Sequence, residues 1–156
     1  MNDMVPSVIL ALDVEDKTKA RATLESVGEK LEWVKIGLQT YLRDGPEFVL
    51  EVADSGKNVF LDLKLYDIPN TMVKSLESLA DLPIKMLTLH ASAGPEALTK
   101  CAQFAEELMP DTTLLAVTVL TSMDQEILSS IGVNSSVEKQ VNRLASLATD
   151  SGIGGI

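Results

Sequence analysis

The feature that most constrains this chain is a regular alternation of apolar runs with helical patterns. Apolar runs that predict strands begin near residues 8, 33, 58, 86 and 113, and a helical pattern follows each of them. We expect the first helix over Lys17–Val27, the second from Gly45-Pro46 to about Asp54, and the fifth strand over Thr113–Leu120. The recurrence of roughly 25–28 residues is the period of a βα unit rather than of a solenoid repeat. Strands that are apolar on both faces are typical of a parallel sheet covered by helices. The sequence therefore predicts an α/β protein.

Two architectures fit this alternation, an open doubly wound sheet and a (β/α)₈ barrel. A barrel typically needs about 250 residues, whereas these 156 residues hold five complete units and the first residues of a sixth. An open sheet should carry a glycine-rich phosphate loop in its first βα turn. The turn Asp13–Asp16 is acidic and has no glycine, which favours the barrel. We expect a single domain over residues 1–156 with no second domain.

Composition narrows the classes of partner and the compartment. The formal net charge of −10 disfavours nucleic acid or an anionic membrane surface as a partner. The single cysteine, Cys101, allows no internal disulfide, agrees with a reducing compartment, and lies in a helical pattern that predicts a buried residue rather than a nucleophile. No apolar run approaches the length of a membrane span, and the N-terminus lacks a signal-peptide pattern. We therefore expect a cytoplasmic protein.

Charged residues gather in the stretch 58–71, NVFLDLKLYDIPNT. Asp62 and Lys64 are two residues apart in a predicted strand, so they share one face, and Asp67 falls at or beyond the strand end. Buried charge must be paired or used, which favours a functional site. A solvated strand end with a surface ion pair would give the same local pattern.

Further charged residues fall at corresponding places in the chain. Asp13, Lys35 and His90 lie at or near the C-terminal ends of their own predicted strands. In a barrel these ends form one rim, and active sites lie on that rim. Charges of alternating sign partly offset one another's desolvation cost. The convergence predicts an active site built from Asp13, Lys35, Asp62 and Lys64.

The segments that carry these charges resemble the orotidine 5′-monophosphate decarboxylase family. The D-x-K-x-x-D element of that family matches LDLKLYDIPNT, and four further motifs occur in the family's order and spacing: ALD at 11–13, VKIG at 34–37, HAS at 90–92 and AVTVLTS at 116–122. The bacterial form is the most similar. The resemblance implies a TIM (β/α)₈ barrel, of which this chain holds the first five βα units and the start of strand six.

The reaction implied by the resemblance is decarboxylation of orotidine 5′-monophosphate to UMP in de novo pyrimidine biosynthesis, without cofactor or metal. Positive charge must be preorganised where the carbanion develops at C6. The resemblance makes Lys64 that cation and the proton donor, with Asp62 and Asp67 holding it charged. It also implies that Asp62 lies beside the substrate carboxylate, that Lys35 completes the network and contacts the ribose, and that Asp13 accepts hydrogen bonds from ribose hydroxyls.

The resemblance further implies a homodimer in which Asp67 and Thr71 reach into the partner subunit's site. It places Thr121 on the pyrimidine ring. Both threonines also have ordinary interpretations, Thr71 as a residue of a helix start and Thr121 as a loop hydroxyl. His90, the only histidine, is expected to be structural, at the rim or the dimer interface.

Two other interpretations remain at this stage. Metal-dependent sugar-phosphate lyases of the same suprafamily, of the 3-keto-gulonate 6-phosphate decarboxylase and hexulose phosphate synthase types, share the strand-one Asp and D-x-K-x-x-D, but typically have Glu where this chain has Lys35. The other alternative to the decarboxylase is an inactive half-barrel that serves only for association. In the decarboxylase family an Arg and a Gln on late loops hold the phosphate, and these loops have no counterpart here. We expect a fragment of a longer enzyme that is inactive, or nearly so, by itself and that associates through open sheet edges.

Overall fold

The fold is described from a computed structural model, in which residues 8–156 are placed well enough to describe. The prediction that there is no signal peptide concerns the N-terminus, and residues 1–7 of it lie outside the described residues. Within residues 8–156, no helix combines the length and the apolar character that a membrane crossing requires.

Strands and helices alternate along the described chain. The strands are β1 Ile9–Ala11, β2 Trp33–Gly37, β3 Asn58–Leu65, β4 Ile84–His90 and β5 Thr113–Val117. The helices are α1 Lys17–Val27, α2 Leu38–Asp54, α3 Pro69–Leu79, α4 Pro95–Leu108, α5 Gln125–Ser130 and α6 Val137–Asp150. Two short 3₁₀ turns, Gly28–Lys30 and Ala91–Ala93, complete the elements.

The order of strands in the sheet decides between the two predicted architectures. The five strands lie in the order β1-β2-β3-β4-β5, and β2 pairs in parallel with both β1 and β3. A doubly wound sheet reverses its strand order at a switch point, whereas here each strand adds beside the previous one. The sequential order is that of a barrel wall.

A single parallel bridge forms beside β5 where the sequence predicts the start of a sixth strand. Leu115 of β5 forms a parallel bridge with Gly155, and the Ala116 amide donates to the Gly155 carbonyl at 2.9 Å. The glycine suits this close approach, because a Cβ at this position would lie 2.6 Å from the Leu115 side chain.

The chain forms two compact units. The first contains the described part of Met1–Leu63 together with Asp81–Leu87, and the second contains Lys64–Ala80 and Thr88–Ile156. Each unit has its own aliphatic core, as the sparse aromatic content requires. Fully buried members of the first core are Val34, Ile36, Phe48, Val49, Val52, Val59 and Leu61; those of the second are Met72, Leu76, Leu89, Leu98, Cys101 and Ala148.

The helix starts follow from local capping chemistry. The Asp16 carboxylate accepts from the Lys19 amide at 2.8 Å, which explains one of the acids in the glycine-free turn after β1. Asp124 caps α5 in the same way, accepting from the Ile127 amide. Helices α3 and α4 begin with proline, whose missing N–H costs nothing in the first turn.

Two predicted elements are wrong at their boundaries. We expected Gly45-Pro46 to open the second helix, but α2 begins at Leu38 and is broken at Gly45, which has φ 74°. Glycine tolerates this left-handed backbone and the proline restarts the helix after it. The fifth strand was expected to reach Leu120, but β5 ends at Val117.

The prediction that Cys101 is a buried residue is confirmed. It lies in α4 and is fully buried, and burial raises the pKa of its thiol to about 11. A thiol that is neutral at physiological pH is a poor nucleophile.

Candidate active site

The first unit contains a chain of three charges. The Lys35 Nζ lies 3.2 Å from Asp13 Oδ2 and 3.4 Å from Asp62 Oδ2. One ammonium group in β2 therefore contacts two carboxylates, that of Asp13 just after β1 and that of Asp62 in β3. The signs alternate as the sequence predicts.

Parallel pairing aligns these three residues. Ala11 of β1 is in register with Lys35, and Gly37 of β2 is in register with Asp62. The Leu12 amide donates to the Lys35 carbonyl at 3.0 Å, which extends the β1–β2 pairing to the residue before Asp13. The register therefore sets Asp62 level with Gly37 and Asp13 two residues beyond the partner of Lys35, and the long Lys35 side chain reaches both carboxylates.

Burial differs along this charge chain. The Asp62 side chain is 11% exposed and that of Lys35 is 21% exposed, whereas that of Asp13 is 55% exposed. The buried end loses most of its hydration and depends on its ionic partners. The Asp13 carboxylate keeps contact with solvent, so its free lone pairs can accept hydrogen bonds from a ligand's hydroxyl groups.

Helix α2 anchors the backbone on both sides of Asp13. The buried Thr40 hydroxyl donates to the Leu12 carbonyl at 3.2 Å, and the Arg43 Nη1 donates to the Val14 carbonyl at 2.7 Å. Arg43 is itself oriented by a two-point contact with the Asp44 carboxylate. This contact raises the pKa of Arg43 and lowers that of Asp44. The loop that carries Asp13 is thus fixed at two points.

The missing side chain of Gly37 makes room for the Asp13 carboxylate. A Cβ at residue 37 would lie 2.9 Å from Asp13 Oδ1 and 3.6 Å from Lys35 Nζ. The backbone at Gly37 has φ −80° and ψ 169°, a region open to any residue. Space, and not backbone conformation, is therefore what favours glycine here.

The second unit contains Lys64, whose backbone is unusual. Its φ is 52°, and it is the one non-glycine residue with positive φ in the described part of the chain. Its amide donates to the Thr88 hydroxyl at 2.9 Å. A left-handed lysine is sterically strained, and such strain is concentrated at functional sites.

His90 lies at the end of β4 and is partly buried. Its ring contacts Tyr66 with centroids 5.5 Å apart and planes at 47°. Burial lowers the pKa of His90, and the Lys64 charge lowers it further. The imidazole is therefore neutral at physiological pH and packs against an aromatic ring.

The remaining predicted site residues lie on exposed surface of the second unit. Asp67 follows β3, and its Oδ1 accepts from the Ile68 amide at 2.7 Å. Thr71 lies in the first turn of α3, and Thr121 lies in a turn beyond the end of β5. An open cavity of about 420 Å³ lies beside Asp67; its lining residues are Tyr66, Asp67, Ile68, Pro69, Ser92 and Ala93.

Metal-ligating side chains do not cluster in the described residues. No group of three or more His, Cys, Asp or Glu side chains within residues 8–156 has an arrangement that could hold a metal ion.

Four residues that support the site were missed in the sequence. Gly37 and Thr88 each carried a weak signal: a glycine directly after an apolar strand, and a hydroxyl within the apolar run of β4. Thr40 and Arg43 carried none, because they act from a turn of α2 that we did not predict to be helical.

The strand order and the charges along β1, β2 and β3 define a protein of the (β/α)₈ class with an ionic site on its strands. The family model described as "Orotidine 5′-phosphate decarboxylase / HUMPS family" matches residues 6–156. The chain belongs to this family. Its fold is that of the TIM-barrel family, represented by five βα units and the start of the sixth strand.

Individual relatives agree with this assignment. The chain is 48% identical over 153 residues to the orotidine 5′-phosphate decarboxylase of Opitutus terrae, covering 98% of this chain and 66% of the relative. The enzyme of the same name from Vibrio atlanticus is 40% identical, with 100% and 67% covered. The chain thus spans about two thirds of the length of these relatives.

Solved structures give the same result. An uncharacterised conserved protein from Geobacillus kaustophilus superposes with a TM-score of 0.87 at 31% identity, covering 93% of this chain and 70% of that one. Orotidine 5′-phosphate decarboxylase from Lactobacillus acidophilus superposes with a TM-score of 0.84 at 30% identity, covering 94% and 68%.

The close approach at Gly37 predicts energetic coupling with Asp13. Gly37→Ala should lower the free energy of unfolding by about 1 kcal/mol, because the new Cβ displaces the Asp13 carboxylate and alanine is a poorer helix N-cap. In an Asp13→Ala background the same substitution should cost at least about 0.5 kcal/mol less. Urea denaturation of the four chains measures the coupling.

The matched control pairs Gly37→Ala with Glu96→Ala, a substitution in the first turn of α4 far along the chain. That pair should be additive. Additivity of Gly37→Ala with Asp13→Ala within about 0.3 kcal/mol would contradict the predicted contact.

The neutral His90 predicts a pH dependence of stability. Because its pKa in the folded chain lies below the ordinary 6.5, the unfolded chain binds more protons as the pH falls through 6.5. The free energy of unfolding should therefore decrease as the pH is lowered from about 7.5 to about 5.5. Chemical denaturation across this range measures it.

His90→Phe is the matched variant, since it keeps a ring beside Tyr66 and removes the titration. Its stability should be nearly flat over the same range. Acidic groups with lowered pKa, Asp44, Glu51 and Glu96, act only at lower pH. Equal slopes for the two chains would show that His90 is not held neutral.

Proposed function

We propose that this chain carries the reacting-centre part of an enzyme that decarboxylates orotidine 5′-monophosphate to UMP in de novo pyrimidine biosynthesis. The observation that carries the proposal is the Asp13–Lys35–Asp62 charge chain, with Lys64 two residues after Asp62 in the sequence of β3. It occurs in a chain whose relatives bear the name of that enzyme.

The chemistry requires a cation at the carbon that loses CO₂. When the C6–carboxylate bond breaks, CO₂ leaves and the electron pair stays on C6, where the pyrimidine ring delocalises it poorly. We assign the Lys64 ammonium to stabilise this pair electrostatically and then to transfer its proton to C6. The neutral amine that results is reprotonated from solvent.

The carboxylates organise this cation and the substrate. Asp62 is nearly buried, so it is suited to lie beside the substrate carboxylate and to favour its loss as neutral CO₂, which moves the negative charge away from Asp62 and onto C6. With Asp67 it would hold Lys64 in its ammonium form. Lys35 links Asp62 to Asp13, and the exposed Asp13 carboxylate would accept from ribose hydroxyls while Lys35 contacts the same sugar.

The proposed assembly is a homodimer. Asp67 and Thr71 are both exposed at the start of α3, which suits a role in the site of a second subunit. Thr121 is likewise exposed and would hydrogen-bond the pyrimidine ring. We propose a cytoplasmic location, which the single buried thiol and the nucleotide substrate support.

The phosphate of the substrate is the part of the ligand for which we assign no residue. Remote phosphate contacts supply binding energy that is used at the reacting carbon. Lys35 and Lys64, the cations of the proposed site, are assigned to the ribose and to C6. We therefore propose that the 156-residue chain alone has little or no turnover.

This assignment predicts weak discrimination between UMP and uridine. The 156-residue chain should bind both with affinities within about threefold, because the sugar and base contacts are present and a phosphate contact is worth far more than threefold. Chemical-shift titration of the ¹⁵N-labelled chain measures both constants. Asp13→Ala should weaken both ligands equally.

Tighter binding of UMP by tenfold or more would show a phosphate site within these residues and contradict the assignment. If neither UMP nor uridine perturbs the amides around Asp13 and Lys35, the result would favour a half-barrel that serves only for association.

The proposed role of Lys64 predicts the loss of any residual decarboxylation. Lys64→Ala should lower the rate of ¹⁴CO₂ release from carboxyl-labelled orotidine 5′-monophosphate by at least about 100-fold, because it removes the cation and the proton donor together. The control is Lys100→Ala, which removes an exposed lysine paired with Glu96 on α4 and should leave the rate unchanged.

The same assay with EDTA distinguishes the metal-dependent sugar-phosphate lyases of the suprafamily. Release of CO₂ that persists in EDTA supports the orotidylate reaction. Loss of activity in EDTA and recovery with a divalent cation would contradict the proposed mechanism.

A further inference from the structure

We propose that Thr88 is a positioning residue for Lys64, and that its hydroxyl holds the lysine backbone in the left-handed conformation. The inference deepens the proposed function, on which the role of Lys64 rests. It starts from two observations at one place: the φ of 52° at Lys64 and the hydrogen bond of 2.9 Å from the Lys64 amide to Thr88 Oγ1.

The backbone conformation of Lys64 needs an external support. In the left-handed region the Cβ of an L-residue crowds the following carbonyl. Asparagine and aspartate offset this cost with a short polar side chain that bonds locally, and glycine has no Cβ. Lysine has neither property. A strained residue persists only where its surroundings impose the conformation.

Thr88 is suited to impose it. The residue is 5% exposed and lies in β4 between the fully buried Leu87 and Leu89. Because threonine is β-branched, its side chain has few rotamers, and burial restricts them further. The hydroxyl oxygen is thus a fixed acceptor in a low-dielectric environment, where a hydrogen bond is strong and its loss is costly.

The consequence concerns the direction of the Lys64 side chain. Strict alternation along an extended strand would fix Lys64 on the face of Asp62, and a left-handed residue departs from that alternation. Thr88 would set the direction of the Lys64 side chain without touching the substrate itself. An ammonium group displaced by about 1 Å loses much of its catalytic effect.

Two substitutions separate the hydroxyl from the shape of Thr88. Thr88→Val keeps the volume and removes the acceptor, whereas Thr88→Ser keeps the acceptor and removes a methyl group. Thr113→Val is the control, since Thr113 is an exposed threonine at the start of β5. Circular dichroism confirms that each variant is folded before it is compared.

The first readout is the Lys64 backbone in the ligand-free chain. Left-handed residues give a strong intraresidue amide-to-Hα NOE, and a hydrogen-bonded amide exchanges slowly with solvent. Thr88→Val should weaken this NOE and speed exchange of the Lys64 amide at least about tenfold. Thr88→Ser and Thr113→Val should leave both unchanged.

The second readout is the residual decarboxylation. Thr88→Val should lower kcat about tenfold with little change in KM, and Thr88→Ser should restore it. If Thr88 had only a structural role, Thr88→Val would lower the stability of the chain without a selective loss of kcat. The backbone readout needs no substrate, so it fails or succeeds independently of the proposed reaction.

The outcomes decide the inference. An unchanged NOE and unchanged exchange at Lys64 in Thr88→Val would overturn it, as would a loss that Thr88→Ser shares. If Thr88→Val does not fold, the same two measurements on the unmodified chain test the proposal. A rapidly exchanging Lys64 amide or a weak intraresidue NOE would overturn it. Slow exchange together with a strong NOE supports it.

Discussion

The ionic contacts of Lys35 are the interaction on which the candidate site depends. A single ammonium group contacts the carboxylates of Asp13 and Asp62, and burial of a carboxylate such as that of Asp62 is costly unless it is paired. The contacts require that β1, β2 and β3 pair in one register. A slip of one residue would move Lys35 to the opposite face of the sheet.

Neighbouring residues hold the charged groups in place in both units. In the first unit, Thr40 and Arg43 anchor the carbonyls on either side of Asp13, and Gly37 leaves room for its carboxylate. In the second unit, Thr88 accepts from the amide of the strained Lys64. Under the proposed function such residues preorganise the reacting groups; Thr40, Arg43 and Thr88 act on backbone atoms, whereas Gly37 acts through the space that it leaves.

Several elements could be predicted closely from the sequence, and the exceptions have physical causes. Helix α1 was predicted with its observed bounds, because Gly28 ends it and apolar residues follow the helical period. The first turns of α2 were missed, since Gly45-Pro46 reads as a helix start whether or not another helix precedes it. Local signals cannot show that a helix continues across a glycine.

The sequence by itself determined the parallel α/β class, the family, and which charged residues follow the strands, since these depend on apolar periodicity and on motifs in a fixed order. The contacts of Lys35, the left-handed backbone of Lys64 and the support from Thr88 were decided only by the tertiary structure. Each of these joins residues more than 20 positions apart in the chain or depends on space that a neighbouring segment leaves. Strand pairing brings such residues together, and spacing along the chain carries no record of it.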